Sequence, residues 1–345
     1  MQGNVTVKKE RQIMTETRRL YYEDVYKKEF TATVVECREQ KKGYVVILDE
    51  SAFYPEGGGQ PSDVGTLGDA KVTEVHEKDG ELLHYTDKAL EVGAKVEGKI
   101  DWARRFDLMQ QHSGEHMVSG IIHEKYGYDN VGFHMGSDVI TVDLNGMLDD
   151  AQLAEIEREV NERVWEDKEV VITYPDAEEL KTIDYRSKKE LTGQVRIVTF
   201  PGVDVCACCG THVTHTGEIG MVKLLSVVKF HDGIRMEMIC GKRVLDYLNM
   251  VNEQNHQIPQ TLIEECGMYL NVISPIDNVS CYILRNIPAA HSFDRKPHGQ
   301  KTVRIFPEYF TVHKVTPAAD DLSKNQPRHT QISQPERLDL LDLTI

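Results

Sequence analysis

Two pairs of side chains in this sequence have the types and the spacing of metal ligands. His112 and His116 are four residues apart in a segment of helical periodicity, which places both imidazoles on one face of a helix. Cys208 and His212 are also four residues apart, next to a glycine that permits a tight turn. Nitrogen and sulfur ligands of this kind favour zinc. The two pairs together predict one Zn²⁺ site, with two ligands from a helix and two from a loop.

Other interpretations of these residues are open. Cys206 and Cys209 compete with Cys208 for the role of thiolate ligand, although the spacing to His212 favours Cys208. Taken separately, two histidines on a helix are often surface residues, and a cysteine near a histidine is often a core thiol. It is the combination of both pairs that indicates a metal.

The segment from His112 to His116 also fits H-x-x-E-H, an inverted zinc-peptidase signature in which Glu115 would be the general base. Such a site takes a distant glutamate as its third ligand and does not require Cys208 or His212. The nearest downstream candidate, Glu190, lies in a polar, lysine-rich run. A zinc peptidase is therefore the alternative from a different reaction class.

A glycine-rich segment, FYPEGGGQPSDVG at residues 53–65, is the third unusual feature. The consecutive Gly57, Gly58 and Gly59 cost backbone entropy on folding, which indicates that the backbone approaches another group closely there. Glycine amides can hold an anion or a ribose phosphate, and Gln60 can both donate and accept a hydrogen bond. The other interpretation is a flexible hairpin tip. No Lys-Ser/Thr pair follows, so the segment is not a P-loop.

The composition limits the class of protein. The 345 residues include 40 Lys and Arg against 56 Asp and Glu, which gives a net charge of −16. This charge argues against a general coat protein of nucleic acids, but it allows a local basic face with candidates at 18–19, 104–105 and 186–189. Seven cysteines without a disulfide pattern indicate a reducing compartment. No apolar run predicts a signal peptide or a membrane span, so we expect a cytoplasmic protein.

The elements that position these residues change in character along the chain. Residues 30–100 contain short runs rich in β-branched and aromatic residues, and several such strands predict a small barrel or sandwich. Residues 103–126 have apolar positions at helical spacing, and an acidic, capped helix is predicted for 149–167. Further strands are expected at 139–144, 195–198, 221–230 and 234–239, with a hairpin turn at 231–233 and a helix at 243–250.

The fold class predicted from these elements is α+β. After a polar extension at 1–13, we expect a β-barrel domain at 14–100 and an α+β domain with the zinc site at 101–250. Residues 251–345 hold eight of the twelve prolines, which argues against a long helix or a central sheet and predicts an irregular tail. The alternative for the tail is a small domain around 303–315.

Three motifs resemble those of one family. FYPEGGGQPSDVG (53–65), QHSGEHMVSGII (111–122) and RIV…DVCACCGTHVTHTGEIG (196–220) occur in the order found in the freestanding alanyl-tRNA editing proteins, the AlaX family. That family is related to the editing domain of alanyl-tRNA synthetase and, more distantly, to that of threonyl-tRNA synthetase. The resemblance runs from Met14 to residue 250.

The resemblance implies a barrel followed by an editing domain in which His112, His116, Cys208 and His212 hold zinc, with the glycine-rich motif facing the site from the barrel. It also implies hydrolysis of the ester bond in tRNA(Ala) mischarged with serine or glycine. A non-catalytic tRNA-binding module with a structural zinc is the third hypothesis.

The catalytic candidates are Gln60, Ser113 and Glu115, with Gln60 and Ser113 expected to contact the seryl hydroxyl. The family often has threonine at the position of Ser113, so a hydroxyl is retained. Longer family members continue past residue 250 into an oligomerising helical region, which the proline-rich tail replaces here; this leaves the oligomeric state open. The candidates for contact with the substrate or the tRNA are Gly57, Gly58, Gly59, Asp63, Arg104 and Arg105.

Overall fold

The computed structural model describes residues 16–187 and 193–266, with side chains as far as residue 255, and four short strands beyond them. The chain divides into two compact units, Met1–Leu245 and Asp246–Ile345. Within the described residues, no helix is long and apolar enough to cross a membrane.

Six antiparallel strands close into a barrel in the order β2-β3-β7-β6-β5-β8. Buried and exposed residues alternate at the start of β2, so Phe30, Ala32 and Val34 enter the barrel core while their neighbours face outward. A closed barrel leaves no unpaired edge, and it confirms the small barrel that the sequence predicts. The elements before residue 101 are β1 Arg18–Arg19, α1 Leu20–Glu23, β2 Glu29–Glu39, β3 Tyr44–Leu48, β4 Glu50–Ser51, β5 Gly65–Leu67, β6 Ala70–Lys78, β7 Glu81–Thr86 and β8 Lys95–Ile100.

A long helix, α2, follows the barrel and spans Trp102–Tyr126. It begins where the Asp101 side chain accepts a hydrogen bond from the Arg104 amide, and it ends at Gly127, whose φ of 68° closes the last turn. Every residue from 108 to 122 is buried, including polar ones. The helix packs against the strands and the helix that follow it in the chain. Its polar side chains therefore face protein rather than water.

The part of the unit after α2 is an α+β layer, as predicted. A four-stranded antiparallel sheet in the order β14-β15-β10-β9 packs against α2 and α3, and a second sheet has the order β11-β12-β13. The predicted hairpin turn is present, because Phe230 pairs with Gly233 across it. The elements are β9 Asn130–Met135, β10 Ile140–Leu144, α3 Asp150–Trp165, β11 Val171–Thr173, α4 Ala177–Leu180, β12 Ile197–Phe200, β13 Asp204–Ala207, a 3₁₀ turn Thr216–Ile219, β14 Val222–Phe230 and β15 Gly233–Cys240.

The C-terminal helix α5 spans Lys242–Cys266 and so extends past the predicted end of the helix at residue 250 and through Pro259. Beyond it the structure describes two antiparallel pairs of two-residue strands, β16 with β18 and β17 with β19. Most of the predicted irregular tail, and the predicted extension at 1–13, lie outside the described residues. The four strands are β16 Cys281–Tyr282, β17 Thr302–Val303, β18 Lys314–Val315 and β19 Leu343–Thr344.

A fully buried ion pair joins the barrel to α2. The Nε of Arg105 donates to both carboxylate oxygens of Asp63 at 2.9 Å, and both side chains are 0% exposed. The Nη1 atom of Arg105 donates to the Val25 carbonyl oxygen, and its Nη2 atom donates to the Ala52 carbonyl oxygen. Asp63 also accepts from the Tyr54 amide. Asp63 and Arg105, which the sequence analysis expects to contact the substrate or the tRNA, therefore both lie in the interior and bond to protein groups. A charged side chain can be buried when every donor and acceptor has a partner.

We predict that Arg105→Met lowers the free energy of unfolding by about 3–5 kcal/mol, because it leaves the Asp63 carboxylate buried without a counter-charge. Urea denaturation of the full chain, followed by circular dichroism, measures this change. The matched control is Arg104→Met: the Arg104 guanidinium is only half-buried and donates to the Ser62 carbonyl at 3.3 Å, so we expect a loss of about 1 kcal/mol or less. Equal losses in the two variants would contradict the assignment.

Candidate metal centre

The four predicted ligands converge. One ligand atom from each of His112, His116, Cys208 and His212 lies within 4.8 Å of the others. The three histidines are buried at 1–2% exposure. The sequence therefore predicts correctly which side chains meet, although the two pairs are far apart along the chain.

Three ring nitrogens of this group lack hydrogen-bond partners in the part of the chain that the structure describes. Among the described residues, the Nε2 atom of His116 and both ring nitrogens of His212 are buried without a hydrogen-bond partner. His112 Nε2 faces the Cys208 sulfur at 3.4 Å. Burying unpaired polar atoms costs about 1–3 kcal/mol each, and a bound cation relieves that cost. Three imidazoles and one thiolate fit a divalent metal of borderline softness.

Two elements position the ligands. His112 and His116 occupy successive turns of α2, and their rings stack with centroids 5.2 Å apart. Cys208 and His212 lie in the loop that follows β13. Arg196 holds this loop, since its Nη1 donates to the carbonyl oxygens of Cys208 at 2.7 Å and of Gly210 at 3.1 Å. The Gly210 amide faces the Cys208 sulfur at 3.4 Å, which favours the thiolate form.

Burial and neighbouring groups shift the pKa values of the clustered ligands in different directions: burial would lower that of His116, but its hydrogen bond with Asp204 raises this pKa well above its ordinary value. Burial alone would raise the pKa of the Cys208 thiol, but the His112 imidazole, whose Nε2 lies 3.4 Å from the sulfur, holds that pKa well below its ordinary value. Burial lowers the pKa of His212 well below its ordinary value, so this imidazole is neutral and offers a lone pair. A metal ligand must be deprotonated in this way.

The glycine turn of the barrel reaches the metal centre through Gln60. Gly57 and Gln60 exchange backbone hydrogen bonds of 3.1 and 3.0 Å across Gly58 and Gly59, whose φ values of 61° and 83° favour glycine. The fully buried Gln60 places Oε1 2.9 Å from His112 Nδ1 and accepts from the Thr211 amide at 3.1 Å. Its Nε2 donates to the Thr211 hydroxyl at 2.8 Å. Gln60 thus orients the His112 ring and connects the barrel to the loop that contains Cys208 and His212.

The other two catalytic candidates are also buried on α2. Ser113 Oγ accepts from the Val213 amide at 3.1 Å. Glu115 accepts a 2.6 Å hydrogen bond from the Ser119 hydroxyl and another from the Asn130 amide group. Glu115 is not among the four clustered ligands. Its carboxylate accepts hydrogen bonds from Ser119 and Asn130 instead.

The two competing cysteines have different surroundings from Cys208. Cys209 is exposed, lies outside the four-ligand group, and has its sulfur 3.9 Å from the Tyr54 hydroxyl. Cys206 is buried in a second group with His116 and Asp204. The spacing argument for Cys208 therefore agrees with the geometry. Glu190, considered as a peptidase ligand, lies outside the described residues.

Sequence reasoning missed the residues that surround the ligands. Asp204 Oδ2 lies 2.8 Å from His116 Nδ1, and Arg186 pairs with the same carboxylate. The rings of Phe133 and Phe200 stack on His112 and His116 with centroids 5.4 and 5.3 Å apart. The one signal available beforehand was the position of Asp204 inside the cysteine-rich motif, two residues from Cys206.

Comparison with known proteins adds independent findings. One family model, described as threonyl and alanyl tRNA synthetase second additional domain, matches residues 195–235, and another, tRNA synthetases class II (A), matches residues 2–104. The alanyl-tRNA editing protein Aarsd1 of Bos taurus is 30% identical over 79% of this chain and 68% of its own. The alanyl-tRNA editing protein AlaX-L of Pyrococcus horikoshii is 35% identical over 75% and 69%. An alanine–tRNA ligase of Methanobrevibacter smithii is 35% identical over 69% of this chain and 28% of its own.

These matches coincide with the structural parts of the candidate centre. The first family model contains the loop with Cys208 and His212, and the second contains the barrel with Gln60. The two editing proteins align with this chain over more than two thirds of their own lengths. The chain therefore belongs to the family of alanyl-tRNA editing proteins.

Proposed function

We propose that this protein is a hydrolase that cleaves the ester bond of tRNA(Ala) mischarged with serine or glycine, with zinc bound by His112, His116, Cys208 and His212. The observation that carries the proposal is the convergence of these four ligand atoms within 4.8 Å in a chain whose relatives are named alanyl-tRNA editing proteins. The unpartnered nitrogens of His116 and His212 support a bound cation.

The ligands and their neighbours prepare the site for ester hydrolysis. A zinc ion held there supplies a Lewis acid that polarises a carbonyl or lowers the pKa of a water. Gln60 fixes the ring of His112 from the barrel side, which we assign as its role in place of direct contact with the seryl hydroxyl. Phe133 and Phe200 cover the imidazole faces and limit the access of bulk water.

Selection of serine over alanine requires a polar group for the seryl hydroxyl. Ser113 is our candidate, because it follows His112 directly and its Oγ already accepts from the Val213 amide, which leaves its own proton to donate. A site built to hydrogen-bond a hydroxyl rejects a substrate that lacks it, because buried polar groups are then left unpaired.

The tRNA must be met by a restricted basic face, given the net charge of −16. Arg18 and Arg19 pair with glutamates on the barrel surface. Arg104, which is half-buried beside the glycine-rich segment and donates to the Ser62 carbonyl, is our remaining candidate from the basic pairs at 18–19 and 104–105. Gly58 lies beside the Cys209 sulfur and Gly59 beside the Phe133 ring, so Gly57 to Gly59 stay candidates for contact with the substrate.

One observation favours a second candidate function. Four protein side chains would hold the metal here, and four protein ligands are typical of structural zinc rather than catalytic zinc. A non-catalytic tRNA-binding module would use such a site to close its fold. The two functions differ in turnover, since the module would bind charged tRNA without releasing the amino acid.

We predict that the purified full chain, loaded with zinc, releases serine and glycine from tRNA(Ala). Correctly charged Ala-tRNA(Ala) should be cleaved more slowly by a factor on the order of 10² or more. Release of radiolabelled amino acid over time measures the three rates. Binding of Ser-tRNA(Ala) without release, by folded and metal-loaded protein, would favour the structural module.

We predict that Cys208→Ala removes the bound metal and lowers deacylation of Ser-tRNA(Ala) at least about 100-fold, because even an outer partner of a metal ligand is worth 10–100-fold. Cys209→Ala is the matched control, since the Cys209 thiol is next in the chain but is exposed and lies outside the ligand group. Metal content by mass spectrometry is measured beside the rate. Loss of metal from Cys209→Ala, with retention in Cys208→Ala, would reverse the ligand assignment.

We predict that Glu115→Gln lowers deacylation of mischarged tRNA by less than about tenfold, because the glutamine oxygen can still accept from Ser119 and Asn130. A general base of a peptidase is worth about 10²–10⁴-fold. Steady-state rates of the wild type and of Glu115→Gln, on Ser-tRNA(Ala) and on a casein substrate, decide between the editing hydrolase and the peptidase. Peptidase activity in the wild type that disappears in Glu115→Gln would support the peptidase alternative.

A further inference from the structure

Next to His116 lies a largely buried ion pair between Asp204 and Arg186. Asp204 Oδ2 is 2.8 Å from His116 Nδ1. Arg186 donates to the same carboxylate through Nε at 2.7 Å and Nη2 at 2.8 Å. The side chains of Asp204 and His116 are 1% and 3% exposed, so bulk water does not compete for these bonds.

This contact sets the orientation of the imidazole. A carboxylate accepts the proton of Nδ1, which leaves the lone pair on Nε2. The Nε2 atom is buried without a partner in the described part of the chain, and His116 belongs to the four-ligand group, so Nε2 is the ring nitrogen that is left to bind a metal. Asp204 therefore fixes both the tautomer and the plane of the ring.

The backbone holds the ion pair in place. Arg186 forms a bridge to Cys206 in β13: its amide donates to the Val205 carbonyl at 2.8 Å, and its carbonyl accepts from the Ala207 amide at 2.9 Å. Gly120 lies one turn after His116 on α2. A Cβ at that position would lie 2.4 Å from the Val203 carbonyl oxygen and 2.8 Å from the Asp204 Cβ, so its absence lets β13 approach the helix closely.

We propose that Asp204 and Arg186 are positioning residues that hold His116 in the geometry and tautomer required for metal binding. The inference rests on the proposed metal site and extends it from the ligands to the ion pair behind one of them. Arg186 acts through Asp204: its two hydrogen bonds stop the carboxylate from rotating away from the imidazole.

A comparable ion pair elsewhere provides the contrast. Arg235 binds both oxygens of Asp143 at 2.6 and 2.8 Å across β15 and β10, and neither residue belongs to the ligand group. If the pair of Asp204 and Arg186 only stabilised the fold, breaking it would act like breaking the pair of Asp143 and Arg235. Both changes would lower stability and leave the metal affinity intact.

The test measures zinc affinity of the full chain by competition with a chromophoric chelator, together with the melting temperature of each metal-free variant. We expect Asp204→Asn to weaken zinc binding 10–100-fold, the usual cost of losing an outer partner of a ligand. Arg186→Gln should weaken it less, since the bond from His116 to Asp204 persists. Asp143→Asn, the matched control, should bind zinc as the wild type does.

Spectra of the cobalt-substituted protein give a second readout that a purely structural role would not change. We expect Arg186→Gln to retain the thiolate-to-cobalt charge-transfer band, because Cys208 is unaffected, while its ligand-field bands shift as His116 reorients. Since the Arg186 side chain is 16% exposed, this variant is the one to use if Asp204→Asn does not fold.

The outcomes separate this inference from the proposed function. If Cys208→Ala loses zinc while Asp204→Asn and Arg186→Gln bind it with wild-type affinity and unchanged cobalt spectra, the positioning role is wrong and the metal site stands. If Cys208→Ala binds zinc as tightly as the wild type, the metal site itself is wrong. Weakened binding in both ion-pair variants, with Asp143→Asn unchanged, supports the positioning role.

Discussion

The mutual approach of three imidazoles and one thiol in the interior is the constraint on which the rest of this structure depends. Their candidate ligand atoms lie within 4.8 Å of one another, and three of the ring nitrogens have no hydrogen-bond partner among the described residues. Such a cluster is costly unless a cation occupies it or the surrounding groups hold it rigidly. Gln60 behind His112 and Asp204 behind His116 provide that rigidity from two different parts of the chain.

The same constraint explains why α2 is buried together with its polar residues. Gln111 bonds both the carbonyl and the amide of Cys240, and Gln110 reaches the Glu218 carbonyl. Glu115 and Ser119 satisfy one another and Asn130. These buried side chains all have partners, as the desolvation cost requires. The helix therefore presents ligands on one face and is locked by hydrogen bonds on the others, rather than by an apolar stripe alone.

What the sequence predicts here is what local spacing and periodicity determine. The i,i+4 pair of His112 and His116, the strands of the barrel and the hairpin after β14 follow from such local patterns. The burial of Arg105 and Asp63 could not be predicted in this way. Charged residues are normally exposed, and only their partners in three dimensions make burial tolerable. Gln60 and Asp204 were visible within their motifs, but their contacts with the ligands depend on how distant segments meet.

The barrel contributes to the candidate metal centre rather than merely preceding it. Its glycine turn carries Gln60 to His112 and Thr211, and the turn packs so closely that a Cβ on Gly59 would lie 2.7 Å from the Phe133 ring. The Asp63–Arg105 pair fixes that turn to α2 only two turns of helix before the first histidine. The barrel, the helix and the loop with Cys208 thus define one rigid site, and removing any of them leaves ligands without the groups that orient them.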